Sequence, residues 1–123
     1  MVQKLMQGAD AITEAAINVG CRFFSGYPML PFTPLLESFA KHIGRAGGVC
    51  MNASSENEAA NMALGAGAAG ARAGTGSCGQ GIALMQETIA EAALNEVPFV
   101  VFNMARGQQD YFQCTRGGGW GDY

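Results

Sequence analysis

The sequence predicts an α/β domain in which a parallel sheet is flanked by helices. Helix-like and strand-like segments alternate along the chain. The run 98–102 is continuously apolar and partly β-branched, which is typical of a strand covered on both faces. The chain has 123 residues, of which 49% are hydrophobic and 14% charged. This length and composition predict one domain over residues 1–123 with a single core.

The first half of the chain predicts two helices and two strands. Apolar residues at helical spacing end at Gly20, and Thr33 followed by Pro34 is typical of an N-cap and a first helical residue. Ser25 and Gly26 are expected to break the first strand. In order, the expected elements are a helix over 8–19, a strand over 22–24, a helix from 33 to about 43 and a strand over 49–51.

The second half repeats the alternation. Ser55 and Glu58 have the spacing of a capping box before a helix of small residues. The expected elements are a helix over 59–70, a strand over 71–75, a helix from 79 to about 94 and a strand over 98–102. After Arg106 the chain is polar and rich in glycine, and no closing helix or strand is predicted. We therefore expect a fragment that is incomplete at its C-terminus.

Composition excludes several classes of function. The net charge of −3 argues against a nucleic-acid partner held by phosphate contacts. No run of 18 apolar residues and no signal peptide is visible, so we expect a cytoplasmic protein without a membrane span. The four cysteines are single and widely spaced, which predicts buried thiols and no zinc or iron–sulfur site on this chain. The lone His42 is expected to be structural.

Loops after predicted strands are the places where open α/β sheets bind ligands. They cover residues 25–33, 52–56 and 74–81, and Arg106 follows the fourth strand. Residues 74–79 match the pattern G-x-G-x-x-G between a strand and a helix, which allows a diphosphate at a helix N-terminus. The alternative is a tight turn in which the glycines permit close packing.

Two charged residues allow both a structural and a catalytic interpretation. Glu56 would lie in the first turn of an Ala-rich helix, where a carboxylate usually interacts with the helix dipole. If it were buried against a ring nitrogen of a ligand, it would handle a proton. Arg106 is either a surface side chain or a bidentate ligand for a carboxylate or phosphate. Glu58 is better explained as the capping partner of Ser55.

An ordered set of motifs over nearly the whole chain resembles a known family. These segments are 8–12, 20–28, 55–56, 61–66, 69–72, 75–81, 84–87, 96–98, 106–107 and 117–123. The chain resembles the N-terminal, pyrimidine-binding domain of thiamine diphosphate-dependent 2-oxoacid:ferredoxin oxidoreductases. Among these it is most similar to the alpha subunit of the multi-subunit forms.

The resemblance implies roles for individual residues. The family's acidic residue that activates the aminopyrimidine ring lies nine residues before the Gly of a Gly-Ala pair, a position that Glu56 holds relative to Gly65. An Arg eight residues past the strand-opening Pro holds the substrate carboxylate in a relative, which implies this role for Arg106. The remaining implied contacts are Leu30 with substrate and Tyr27, Pro28, Ser77 and Gly79 with the cofactor.

The chain departs from the family at two positions and lacks the other half of the site. Leu30 replaces a Thr near cofactor and substrate, and Trp120 replaces a His in the final glycine-rich segment. The resemblance implies that a beta subunit binds the diphosphate and Mg²⁺. It further implies that iron–sulfur clusters lie on partner domains, that an iron–sulfur subunit passes electrons to ferredoxin, and that a 2-oxoacid and coenzyme A react. The isolated chain would then be inactive.

Two alternatives stay open from the residues. One is a non-catalytic assembly module of the same fold, which Leu30 favours and Glu56 and Arg106 oppose. The other is a dinucleotide-binding domain that uses residues 74–79. The sequence leaves undetermined which 2-oxoacid is used, the subunit composition, the direction of the reaction and whether Tyr123 is the natural end.

Overall fold

A four-stranded parallel sheet forms the centre of the domain in the computed structural model, which describes residues 4–104. The strands lie in the order β2-β1-β3-β4. Their bounds are β1 Phe23–Gly26, β2 Val49–Asn52, β3 Ala73–Ser77 and β4 Val100–Asn103. The helices are α1 Gly8–Asn18, α2 Thr33–His42, α3 Glu56–Ala68, α4 Gln80–Leu84 and α5 Gln86–Leu94, with a 3₁₀ helix at Ile43–Ala46. The parallel α/β class is confirmed.

Helices cover both faces of the sheet because neighbouring residues of a strand point to opposite sides. Phe24 of β1 stacks on Phe39 of α2, whereas Ser25 donates a hydrogen bond to the carbonyl of Ala59 in α3. Helix α1 packs on α2, and α4 and α5 pack on α3. The sheet is therefore the middle layer. The chain places β2 on one side of β1 and then places β3 and β4 on the other side, so the direction of the crossovers changes between β1 and β3.

An aromatic cluster forms the core between the sheet and α2. The rings of Phe24 and Phe39 lie 3.7 Å apart and nearly parallel, and Phe32 and Phe102 pack beside Phe24. Phe24, Phe32 and Phe39 have no solvent exposure. This cluster compensates for the small side chains elsewhere, since aromatic side chains remove a large apolar area from water.

The central strand β3 contains no large side chain although every residue in it is buried. A β carbon at Gly76 would lie 2.6 Å from the carbonyl oxygen of Phe102 and 2.7 Å from the ring of Phe32. Glycine at this position therefore allows the aromatic core to lie directly on the backbone of the strand. Hydrophobic patterning does not detect such a strand, and the predicted strand at 71–75 begins and ends two residues too early.

Three local predictions are wrong. Ser25 and Gly26 do not break β1 but complete it. Thr33 is the first residue of α2, after the N-cap Phe32, and makes no capping hydrogen bond. The helix expected from residue 79 is divided into α4 and α5 at Met85.

Strand β4 was expected to be covered on both faces, but Val100 is 55% exposed. It lies in a largely apolar groove of about 630 Å³. Ile12 of α1 and Val19, the residue after this helix, line the groove together with Val100 and Phe102 of β4. Among residues 4–104, none of the helices is both long enough and apolar enough to span a bilayer.

Candidate functional site

The candidate site lies at the carboxyl end of the sheet, where the predicted loops converge. Gly26 at the end of β1 pairs with Asn52 of β2 and Gly76 of β3, and Ser77 pairs with Asn103 of β4. All four strands thus end at one edge. The direction of the crossovers changes between β1 and β3, and open α/β sheets bind their ligands at the carboxyl ends of the strands at such a point.

Glu56 is the first residue of α3 and is held at this edge by a helix cap. The side chain of Ser55 accepts a hydrogen bond from the backbone N–H of Glu58 at 3.1 Å. The Glu58 carboxylate accepts hydrogen bonds from the backbone N–H and hydroxyl of Ser54, not from the N-cap N–H as a full capping box would require. These bonds fix the first turn of α3, and therefore the position of Glu56.

Glu56 is a largely buried residue at this edge, with 6% of its surface exposed. Its carboxylate oxygens are not among the fully buried side-chain atoms without a hydrogen-bond partner, a set that within residues 4–104 contains only Oγ1 of Thr13. Glu56 is the carboxylate that the start of α3 places at the carboxyl end of the sheet, where a ligand of an open α/β sheet would meet it.

Glu56 packs tightly against Gly81 of α4. A β carbon at Gly81 would come within 2.9 Å of Oε1 of Glu56 and would overlap Oγ of Ser77. Glu56, Ser77 and Gly81 are consequently adjacent, although they come from the start of α3, the end of β3 and the first turn of α4. The sequence predicts that residue 81 lies in one of the ligand-binding loops, at 74–81. It does not indicate that a glycine there is needed to accommodate the Glu56 carboxylate.

Buried hydroxyl groups attach α3 to the sheet below the site. Ser25 Oγ donates to the carbonyl of Ala59 at 2.7 Å, and Thr75 Oγ1 donates to the carbonyl of Ser25 at 2.8 Å. Ala59 and Ala60 have no exposure, which lets the helix backbone approach the strands closely. Chains of satisfied buried hydrogen bonds rigidify a structure, so the N-terminus of α3 is held on a firm support.

A second polar network attaches the same helix to α5. The amide of Asn61 donates to Oδ1 of Asn57 at 3.2 Å and to Oγ1 of Thr88 at 3.1 Å. Thr88 in turn donates to Oδ1 of Asn57 at 3.1 Å. Asn57 follows Glu56 directly, so this network also fixes the first turn. Sequence reasoning did not identify these three residues, because their spacing connects two helices only in the folded chain.

The loop after β1 contacts the end of β3 and contains three of the predicted site residues. Ser77 Oγ lies 3.9 Å from the sulfur of Met29, and the Cys78 thiol lies 3.4 Å from the carbonyl of Leu30. Leu30 is 63% exposed and Tyr27 is 36% exposed; Pro28 is also exposed. The structure thus brings Met29, which the sequence did not single out, next to Ser77, and the backbone of Leu30 next to Cys78.

The glycine motif at 74–79 does not have the geometry of a dinucleotide fingerprint. Gly74 and Gly76 lie inside β3 and are fully buried, whereas that fingerprint places its glycines in the turn after the strand. Only Gly79 lies in the turn, with a positive φ of 45° before α4. Close packing accounts for the first two glycines, and the geometry does not support the dinucleotide interpretation.

Arg106 and Trp120 lie outside the described residues, as does Cys114. Within residues 4–104 there is no cluster of three or more His, Cys, Asp or Glu side chains that would hold a metal ion. Burial raises the pKa of the Cys50 thiol to about 11, with the nearby Cys21 as a smaller cause, and burial also raises the pKa of Cys21. These two thiols are therefore protonated near neutral pH.

Comparison with known proteins assigns the family. Residues 14–117 match the family described as "Pyruvate flavodoxin/ferredoxin oxidoreductase, thiamine diP-bdg". The chain belongs to this family. The match spans all of the described strands and helices α2 to α5, including Glu56, Ser77 and Gly81, so the candidate site lies inside the oxidoreductase domain.

Relatives in the oxidoreductase family come from several organisms. The 2-oxoglutarate synthase subunit KorA of Methanothermobacter thermautotrophicus is 40% identical over 96% of this chain and 34% of its own length. The ketoisovalerate oxidoreductase subunit VorB of the same organism is 35% identical over 100% of this chain and 38% of its own length. The chain thus spans about a third of the length of these curated relatives.

A solved structure has the same fold. It is the 2-oxoglutarate:ferredoxin oxidoreductase from Magnetococcus marinus with 2-oxoglutarate, coenzyme A and succinyl-CoA bound. It matches with a TM-score of 0.82 and 35% sequence identity, covering 85% of this chain and 18% of that chain. The arrangement of strands and helices described above is therefore that of an oxidoreductase domain of this family.

Proposed function

We propose that residues 1–123 contribute the aminopyrimidine half of a thiamine diphosphate site in a 2-oxoacid:ferredoxin oxidoreductase. The enzyme would oxidatively decarboxylate a 2-oxoacid to an acyl-CoA, or run the reverse reaction, with ferredoxin as electron carrier. The observation that carries this proposal is the position of Glu56, a buried residue in the first turn of α3 at the switch point of the sheet. The family match supports it.

The chemistry of the residues present fits the aminopyrimidine ring. The Glu56 carboxylate packs against the backbone of Gly81 and lies near the hydroxyl of Ser77. A carboxylate in this setting holds a proton between itself and a ring nitrogen and moves it during the reaction. Thiamine diphosphate supplies the electron sink for decarboxylation when it is bound. The helix cap at Ser55 and the Asn57–Asn61–Thr88 network keep the Glu56 carboxylate in place during this transfer.

Substrate and partners complete the proposal. Arg106 would hold the 1-carboxylate of the 2-oxoacid through a bidentate contact. A beta subunit would hold the diphosphate and Mg²⁺. An iron–sulfur subunit would carry electrons to ferredoxin. Cys21 and Cys50 form no disulfide, which is consistent with a reducing compartment, so we place the enzyme in the cytoplasm.

The test uses the complex isolated from its source through this chain. Reduction of a low-potential dye is measured with a 2-oxoacid and coenzyme A, and thiamine diphosphate is quantified in the same sample. Turnover that requires both substrates, with bound thiamine, is the expected result. An assembled complex with neither thiamine nor turnover would contradict the proposal and favour a non-catalytic assembly module.

A further inference from the structure

Thr88 of α5 is buried, and its hydroxyl connects two side chains of α3. It is 3% exposed, whereas Asn57 and Asn61 are exposed. The hydroxyl donates to Oδ1 of Asn57 and accepts from the amide of Asn61, each at 3.1 Å. The Asn61 amide also donates to the backbone carbonyl of Asn57 at 2.9 Å. One hydroxyl of α5 therefore orients the side chain of the residue that directly follows Glu56.

Helices α4 and α5 contact the first turn of α3 at two successive residues. Gly81 of α4 packs against the Glu56 carboxylate, and Thr88 of α5 bonds Asn57. The two helices are joined directly at Met85, which is fully buried. Because of this connection, a displacement of α5 would alter both contacts. The position of Glu56 thus depends on α5 as well as on its own helix.

Loss of the Thr88 hydroxyl should disturb the position of the first turn more than the stability of the domain. Asn57 and Asn61 are exposed, so water can replace the hydroxyl as their hydrogen-bond partner at a small cost in free energy. A methyl group in place of the buried hydroxyl leaves no buried polar group without a partner there. What the water cannot replace is the fixed direction of the bond from α5 to Asn57.

Resting on the proposed function, we infer that Thr88 is a positioning residue for proton transfer by Glu56, and that it acts through Asn57. It holds the first turn of α3 in the orientation that presents the carboxylate at the carboxyl end of the sheet. Proton transfer requires short and aligned contacts, so a small error in the placement of the acid–base group slows the chemical step strongly. Binding of the 2-oxoacid does not depend on that alignment. The hydroxyl should therefore affect kcat and leave KM nearly unchanged.

The test compares three threonine variants of the assembled complex. Thr88→Val keeps the shape and removes the hydroxyl, Thr88→Ser keeps the hydroxyl, and Thr13→Val is the matched control. Thr13 is also buried, with 1% exposure, but its hydroxyl has no hydrogen-bond partner within residues 4–104. Dye reduction with 2-oxoglutarate or 3-methyl-2-oxobutanoate gives kcat and KM. Bound thiamine, the melting temperature and amide hydrogen exchange over residues 54–60 are measured on the same samples.

Thr88→Val should lower kcat by at least about tenfold, with KM changed by less than about twofold. Amide exchange in the first turn of α3 should become about fivefold faster, since one hydrogen bond of the usual net strength is lost. Thr88→Ser should restore most of kcat, and Thr13→Val should match the parent in kcat, KM and exchange. Asn57→Ala changes an exposed residue and should show the same loss of kcat as Thr88→Val. The double variant should lose no more than either single one, because the two residues act in one chain of contacts.

The outcomes separate this inference from the proposed function. A Thr88→Val complex with bound thiamine and with the kcat and exchange rates of the parent would overturn the inference and leave the proposed function standing. Equal losses in Thr88→Val and Thr13→Val, or a Thr88→Ser complex as slow as Thr88→Val, would also overturn it. If Thr88→Val does not assemble, full kcat in Asn57→Ala would do so. A parent complex with neither thiamine nor turnover would overturn both.

Discussion

A β carbon at position 81 would lie 2.9 Å from Oε1 of Glu56. The position of the Glu56 carboxylate therefore depends on a glycine in another helix. The two residues are 25 positions apart and belong to α3 and α4. The same β carbon would overlap Ser77 Oγ. Any side chain at position 81 must therefore displace either the hydroxyl or the carboxylate.

Replacement of Gly81 by alanine should reduce turnover although alanine favours helices. In an open helical position the change would stabilise the protein by about 0.5–1 kcal/mol. At position 81 we expect lower thermal stability and a large loss of 2-oxoacid-dependent dye reduction in the assembled complex. Gly65→Ala is the control, since a β carbon there meets nothing within 4 Å and the variant should be active. Equal behaviour of the two variants would contradict the proposed crowding.

Replacement of Glu56 by glutamine should reduce turnover by about 10²–10⁴-fold, the usual contribution of a positioned acid–base group. The substitution preserves shape, so the complex should assemble normally on gel filtration. Glu58→Gln changes the same residue type two positions away, where the side chain is exposed and bonds only Ser54 among the described residues. That variant should retain turnover. Full activity of Glu56→Gln would exclude the assigned role.

The stabilising effect of Glu58 should depend on pH. Hydrogen bonds from the hydroxyl and then the backbone N–H of Ser54 lower the pKa of Glu58 below its usual 4.5. A carboxyl whose pKa is lower in the folded state stabilises the protein above the unfolded pKa, and this stabilisation is lost as the pH falls through the folded pKa. Glu58→Gln should therefore melt below the parent at pH 7, and the difference should shrink below about pH 4.5. Thermal unfolding across pH 3–7 measures this; a constant difference would contradict it.

Replacement of Phe24 by alanine should destabilise the domain by about 3–5 kcal/mol, the usual loss when a large buried side chain is deleted. Phe24 has no exposure and contacts the rings of Phe32, Phe39 and Phe102. Phe24→Leu keeps more of the volume and should lose less. Denaturant unfolding of the complex that contains each variant provides the measurement. A loss for Phe24→Ala no larger than for Leu94→Ala would contradict the described core.

Cys50 should react slowly with alkylating reagents. Burial raises its pKa to about 11 from the ordinary 9.0, which lowers the thiolate fraction at pH 8 by about a hundredfold. Iodoacetamide labelling at pH 8, followed by mass spectrometry of the peptide that contains Cys50, measures the rate. The same peptide in denaturant is the control and should label much faster. Equal rates in the two conditions would contradict burial of the thiol.

The sequence was most informative where side chains are large or periodic. Helix α1 was predicted to within one residue, since apolar residues recur at helical spacing before Gly20. Ser25 and Gly26 were wrongly taken as a break, because their role in β1 comes from pairing with β2 and β3 and not from hydrophobic pattern. The same reason explains the shifted bounds of β3, whose burial depends on rings from other segments.

For the candidate site, the residues alone placed the loops after the strands at one edge of the sheet and predicted the first-turn position of Glu56. Its proposed chemistry came from the resemblance. Its burial, its close packing against Gly81 and the contact of Met29 with Ser77 join segments far apart in the chain. Such contacts arise from tertiary packing, and no local pattern in one sequence encodes them.

The pairing of β1 with β3 also orders events during synthesis. Strands β1 and β2 can pair once residue 52 has left the ribosome. Ser77 and Gly81, which lie beside Glu56 in the folded domain, are synthesised later. Closure of β3 onto β1 brings together residues 50 positions apart, and such non-local pairing is slow compared with helix formation. The nascent chain therefore carries an exposed Glu56 side chain and an unpaired edge of β1 until that closure, and unpaired strand edges are prone to aggregation.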